Sequence, residues 1–228
     1  MAADPFLAAQ QHSLVVPRTA RYFQLGNLAT AKRLWVVCHG YGQLASFFIR
    51  HFRVVLEQAP DTAVVAPEGL SRFYLQGTSG RVGATWMTRE DRLSEIEDYA
   101  AYLDLLLQQL LGACPPAVEV TLLGFSQGAS TLSRWLMRST FEPARLVLWA
   151  GAFPEDVESA AAQALFRRVP QLSYVCGDAD EYITEPRLQE QLAHLAQLGA
   201  SPRLLRFGSG HQLDAEVLRQ LAQEPGPR

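Results

Sequence analysis

Val120-Thr-Leu-Leu-Gly-Phe-Ser-Gln-Gly-Ala129 is the stretch whose reading decides the fold. An apolar, β-like run enters a serine bracketed by Gly124 and Gly128, and a helical pattern follows. The spacing G-x-S-x-G describes a strand that reverses into a helix around one strained residue. Glycine suits both flanks because backbone and neighbouring side chains come too close there for a Cβ. The turn aims the Ser126 hydroxyl out of the sheet. A serine in such a turn can also do no more than cap the following helix, so the rest of the chain must decide between cap and nucleophile.

Apolar runs recur on either side of this stretch. Residues 34–38 and 62–67 precede it, and 145–149, 172–176 and 203–207 follow it; these read as strands, several of them buried on both faces. Helical patterns lie between them at 47–58, 92–111, 127–138, 159–168, 186–198 and 214–223. The clearest, 92–111, lines up Leu93, Ile96, Ala100, Leu103, Leu107 and Leu110 and stops at Gly112 and Pro115. Two β-like runs near the start, 12–17 and 21–25, suit an antiparallel hairpin at a sheet edge. Residues 68–88 hold four glycines and no sustained period, and read as a long irregular loop of the kind that often carries function. The alternation predicts an α/β fold over residues 1–228 as a single domain. Its central sheet is mostly parallel, with helices on both faces and an antiparallel N-terminal edge. Residues 1–11 and 224–228 read as flexible tails.

Composition narrows the function. With 228 residues the chain can bury a large core, and a formal net charge of −3 offers no footprint for nucleic acid. No apolar run nears the roughly 20 residues that span a bilayer. The first residues lack a basic region and an apolar core, so no secretory signal is read and the expected location is cytoplasmic. Three cysteines, Cys38, Cys114 and Cys176, read as reduced thiols rather than a disulfide framework. No His/Cys/Asp cluster has metal-ligand spacing, and no cofactor is implied.

In a parallel sheet, ligands bind beyond the carboxyl ends of the strands. Four such ends carry reactive residue types: His39-Gly-Tyr-Gly42, Gly124-Phe-Ser-Gln-Gly128, Gly177-Asp-Ala-Asp180 and Gly208-Ser-Gly-His211. The order Ser, Asp, His is that of an α/β-hydrolase triad. A serine hydroxyl needs a base, and His211 is the only histidine after Ser126 that leaves a strand end. The base needs an acid on its other nitrogen, for which Asp178 and Asp180 are candidates. An oxyanion hole needs two donors. The N–H groups of Gln127 and Tyr41 are assigned to it. His39 is read as a turn-shaping side chain, and His12, His51 and His194 as surface or packing residues.

These motifs resemble the phospholipase/carboxylesterase family, the small α/β-hydrolases that include acyl-protein thioesterases and bacterial carboxylesterases. The resemblance covers roughly residues 30–222, and G-F-S-Q-G is its most specific part. It selects Asp180 over Asp178, because the family's acid follows G-x-x-D. Three places differ: Gln43 stands where the family has aspartate in its oxyanion loop, Ala129 where it has a second glycine, and Cys176-Gly-Asp-Ala-Asp-Glu-Tyr-Ile-Thr184 replaces His-Gly-x-x-Asp-x-x-Val-Pro. Residues 67–74 with 81–87 resemble a bacterial serine esterase subgroup, whose loop and tryptophan border the active site. The resemblance therefore implies a serine hydrolase with Ser126, His211 and Asp180, acting on a small-molecule or lipid-like ester. Phe73, Trp86 and Phe153 are candidates for the acyl-binding wall, and Arg72, Arg81 and Arg89 for meeting a phosphate or carboxylate. A lysophospholipase or acyl-protein thioesterase is the alternative, and a catalytically silent binding module is the non-enzymatic one.

Overall fold

The computed structural model describes residues 9–224. Of the expected tails, residues 1–8 and 225–228 lie outside the described residues. In chain order the elements are β1 (Tyr22–Leu25), β2 (Arg33–Cys38), α1 (Ala45–Phe48), α2 (Arg53–Gln58), β3 (Thr62–Pro67), β4 (Ser71–Tyr74), β5 (Val82–Thr85) and α3 (Arg92–Ala113). They continue as β6 (Glu119–Phe125), α4 (Gln127–Arg138), β7 (Arg145–Trp149), α5 (Ser159–Arg167), β8 (Leu172–Gly177), α6 (Glu185–Gln197), β9 (Arg203–Phe207) and α7 (Ala215–Gln223).

Seven strands form one sheet in the order β1-β3-β2-β6-β7-β8-β9. Every pairing is parallel except that of β1 with β3. Alternate side chains of the buried strands enter two separate cores. Leu34, Val36, Leu122, Leu146, Leu148 and Tyr174 pack with α3, α4, α5 and α6 through Leu103, Leu132, Leu165 and Leu188. Trp35, Val37, Leu123, Val147, Trp149 and Val175 pack on the other face with Phe48, Phe52, Val55, Val217 and Leu221. Two-sided burial is why these strands read as continuous apolar runs. The register brings the strand ends level: Cys38 lies beside Gly124, and Gly177 beside Phe207.

Two expectations are corrected. Residues 12–17 form no strand; Leu14, Val15 and Val16 are 85%, 92% and 64% exposed. The antiparallel edge is made instead by β1 on β3, with Tyr22 opposite Pro67, because β3 has a free edge that a short strand can complete. Nor is 68–88 structureless. It folds back as the two-stranded hairpin β4–β5, in which Phe73 lies opposite Gly83. Strands of four residues carry too little pattern to announce themselves. The single helix expected at 47–58 is α1 and α2, joined by a 3-10 turn at Ile49–Phe52. Among the described residues no helix is long and apolar enough to cross a membrane.

Candidate active site

Ser126 follows β6 directly, at φ 53° and ψ −117°, a conformation that strains any residue with a Cβ. Its backbone N–H donates to the Trp149 carbonyl at 2.8 Å. The flanking glycines are demanded by close approach. A Cβ on Gly124 would stand 2.4 Å from the Gly128 carbonyl oxygen, and one on Gly128 would stand 2.2 Å from that of Cys38. The helix α4 starts at Gln127. The first amides of a helix have no partner within it, and its positive end therefore lies at the serine.

The exits of β8 and β9 bring Asp180 and His211 together. His211 Nδ1 lies 2.9 Å from Asp180 Oδ2. The other carboxylate oxygen, Oδ1, accepts the N–H groups of Tyr182 at 2.8 Å and Ile183 at 2.9 Å. Asp180 is buried, 5% exposed, so these bonds act with little competition from water. The His211 ring packs at 4.6 Å from Tyr182 and 5.0 Å from Phe125, the residue before the serine. Asp178 points elsewhere: it accepts from Arg206 Nε at 2.6 Å and is half-exposed. Arg206 also donates to Glu185 at 2.7 Å, tying the 178–185 loop to β9.

The loop after β2 lies against the elbow, close enough that a Cβ on Gly40 would stand 3.1 Å from the Ser126 Cβ. Gln43 Oε1 accepts the Gly40 N–H at 2.8 Å, which leaves the next amide, Tyr41, as the loop's candidate donor. His39 shapes this loop, in keeping with its place in the sequence. Gly69 N–H donates to His39 Nε2 at 3.0 Å, so Nδ1 carries the proton and donates to the Gly40 carbonyl at 2.8 Å. Burial disfavours the imidazolium and pushes the His39 pKa down to about 4, against smaller opposing contributions from Gly40 and Glu68.

Gln127 plays a part beyond its backbone amide. Its Oε1 accepts from Thr85 Oγ1 and Trp86 N–H, both at 3.1 Å, and its Nε2 donates to the Met87 carbonyl at 2.8 Å. The β4–β5 hairpin is thereby fastened to the elbow. A bridge between Gln43 and Ala84 fastens it to the oxyanion-side loop as well. Glu68 anchors the hairpin's base. Its buried carboxylate accepts from Arg21 Nε at 2.6 Å, Arg72 Nε at 2.7 Å and the Ala45 N–H at 3.2 Å. Burial opposes its charge, but the two guanidinium groups outweigh burial and hold the carboxyl below its ordinary value. Sequence patterns signal neither clamp, because each joins residues at least 23 positions apart, Arg72 excepted.

The three wall candidates separate. Phe73 is half-buried with its ring 5.1 Å from that of Tyr41, which is 60% exposed. Trp86 is 2% exposed, lies against the His39 ring at 5.1 Å and donates its indole N–H to the His39 carbonyl at 2.9 Å. Phe153 is fully buried against Phe166 and His194. Trp86 and Phe153 are thus closed off from solvent, and neither offers a wall to an incoming ligand. Their apolar bulk is used in packing, which is the ordinary fate of large aromatics. Among the described residues no group of three His, Cys, Asp or Glu is placed to hold a metal ion.

A mostly parallel sheet with a strained strand-to-helix elbow and reactive residues at its carboxyl ends defines an α/β-hydrolase fold. Solved structures agree. The chain is 26% identical to the esterase PE8, covering 90% of this chain and 97% of that one with a TM-score of 0.66. It is 20% identical to Zea mays acyl-protein thioesterase 2, covering 90% and 97% with a TM-score of 0.65. A carboxylesterase from Mesorhizobium loti is also 20% identical, covering 90% and 95% with a TM-score of 0.64. These neighbours accord with the resemblance to the phospholipase/carboxylesterase family. No sequence-family model matches the chain, and no curated protein matches it in sequence.

Proposed function

We propose that this protein is a serine hydrolase of carboxylic esters working through an acyl-enzyme. The observation that carries the reading is the Asp180–His211 bond of 2.9 Å, made by a ring that packs 5.0 Å from Phe125, the residue before a serine held at φ 53°. Asp180 holds Nδ1 of His211 protonated, which leaves Nε2 free to accept the Ser126 proton. Ser126 Oγ then bonds the ester carbonyl carbon, and the carbonyl π pair moves onto oxygen. That oxyanion is held by the N–H groups of Tyr41 and Gln127, the latter at the positive end of α4. Collapse re-forms the carbonyl, breaks the bond to the alcohol and takes the proton back from His211. Water, activated by the same base, releases the acid and restores Ser126.

The esterases and the thioesterase among the structural neighbours support hydrolysis of an acyl bond. An oxygen ester is preferred as the substrate here, with lysophospholipids and S-acyl proteins as variants of the same chemistry. A fluorophosphonate should label Ser126, and Ser126→Ala should lose both labelling and turnover of p-nitrophenyl esters. Full turnover by Ser126→Ala would overturn the reading.

A further inference from the structure

The stretch from 68 to 89 carries three arginines, Arg72, Arg81 and Arg89, and the structure separates them. The charge of Arg72 is answered by the buried Glu68 at 2.7 Å. Arg81 stands elsewhere, where the hairpin enters β5. It lines a groove of about 440 Å³ whose apolar walls are Leu44, Phe47, Phe48, Leu75 and Val82. No Asp or Glu is among the described residues that line this groove, and Arg81 enters no ion pair among the described residues. His51, the other titratable group on the wall, has its pKa lowered by burial. At neutral pH Arg81 is therefore the fixed charge of the groove.

The groove borders the loop that carries the proposed oxyanion donor Tyr41. Gly42 and Gln43 form part of its lining, one and two residues beyond Tyr41. Gln43 also accepts the Gly40 N–H at 2.8 Å, and a Cβ on Gly40 would stand 3.1 Å from the Ser126 Cβ, so this part of the lining lies beside the proposed nucleophile. Apolar walls favour methylene groups, each contributing about 0.8 kcal/mol when buried. A guanidinium at the edge of such walls matches one chemistry above others, an oxyanion met by a planar pair of N–H donors.

We infer that this groove takes the chain of the ester substrate and that Arg81 selects chains bearing a carboxylate or a phosphate. The inference deepens the ester-hydrolase reading and depends on it. Two substrate pairs test it and distinguish the two anions. One compares the mono-p-nitrophenyl esters of glutaric and adipic acid with p-nitrophenyl pentanoate and hexanoate. The other compares p-nitrophenyl 6-(phosphonooxy)hexanoate with p-nitrophenyl hexanoate.

The wild-type ratio of kcat/KM, anionic over neutral, should exceed one in at least one pair. Arg81→Gln should lower that ratio at least fivefold, Arg81→Glu should bring it below one, and Arg89→Gln should leave it alone. The pair that responds identifies the anion. A ratio that Arg81→Gln leaves unchanged in both pairs overturns the inference. Titration calorimetry of monoethyl adipate against Ser126→Ala and Ser126→Ala/Arg81→Gln separates the two levels. Arg81-dependent binding without any ester turnover by the wild type would sink the hydrolase reading and keep the groove. Ser126-dependent turnover with an Arg81-independent ratio would do the reverse.

Discussion

Asp180→Asn isolates the acid of the proposed triad, and the structure bounds its effect from both sides. The two backbone donors on Oδ1, Tyr182 and Ile183 N–H at 2.8 and 2.9 Å, decide how an asparagine must sit. Keeping both bonds places the amide oxygen at that position and turns the NH₂ toward His211. Nδ1 must then accept, the ring proton moves to Nε2, and the base that should take the Ser126 proton is blocked. A wrong tautomer of this kind costs about 10⁴-fold in kcat, about 5 kcal/mol. The escape is to flip the amide. That sets the NH₂ against two N–H groups and leaves donors unpaired at about 1–3 kcal/mol each. A total of about 2 kcal/mol or more holds the flipped form to about 3% of molecules, so at least a ~30-fold loss survives the escape. The expected kcat on p-nitrophenyl esters therefore falls between about 30-fold and 10⁴-fold. Asp178→Asn, whose carboxylate meets the exposed face of Arg206, serves as the control and should stay within about twofold, the scale of a surface ion pair. A folded Asp180→Asn that keeps more than about a tenth of the wild-type kcat would refute the tautomer argument.

Three further outcomes follow from the geometry. Gly128→Ala places a Cβ 2.2 Å from a backbone oxygen and should cost about 3 kcal/mol or more, whereas Gly112→Ala in α3 meets nothing within 4 Å and should gain about 0.5 kcal/mol. Thermal melts that moved both variants the same way would count against it. Gln127→Leu removes the acceptor of Trp86 N–H and the donor to the Met87 carbonyl, and should lower stability by about 2 kcal/mol and raise KM for chain-bearing esters; an unchanged KM would show that the hairpin needs no clamp. His39, held near a pKa of about 4 when folded against 6.5 when free, takes up a proton more readily in the unfolded chain. Its contribution is therefore intact above pH 6.5 and lost as pH falls toward about 4, amounting to about 2 kcal/mol by pH 5. Denaturant titrations at pH 7.5 and 5.0 should show a steeper loss for the wild type than for His39→Gln; equal slopes would contradict it.

Most of the architecture is legible in the sequence, and for a local reason. A buried parallel strand must be apolar on both faces, so Leu34-Trp-Val-Val-Cys38 and Arg145-Leu-Val-Leu-Trp149 declare themselves in a few residues. The elbow declares itself too. Its two glycines answer clashes with Gly128 and Cys38, and no other residue type can stand there. Together these place Ser126 at a strand end and order Asp180 and His211 behind it. Where the chain uses weak local signals and long-range partners, the tertiary structure decided. It paired β1 with β3 rather than with residues 12–17, and it made a hairpin of the 68–88 stretch. Trp86 and Phe153 went into the interior, while Arg81 went to an apolar groove and Arg72 to Glu68. Asp178 and Asp180, which only motif resemblance separates in the sequence, differ in their partners: one carboxylate faces Arg206, and the other is held by two amides against His211. Sequence determines what each strand end can offer, because burial and steric crowding act on neighbours in the chain. Which of those offers meet is set by packing between segments tens of residues apart, and no local pattern encodes that.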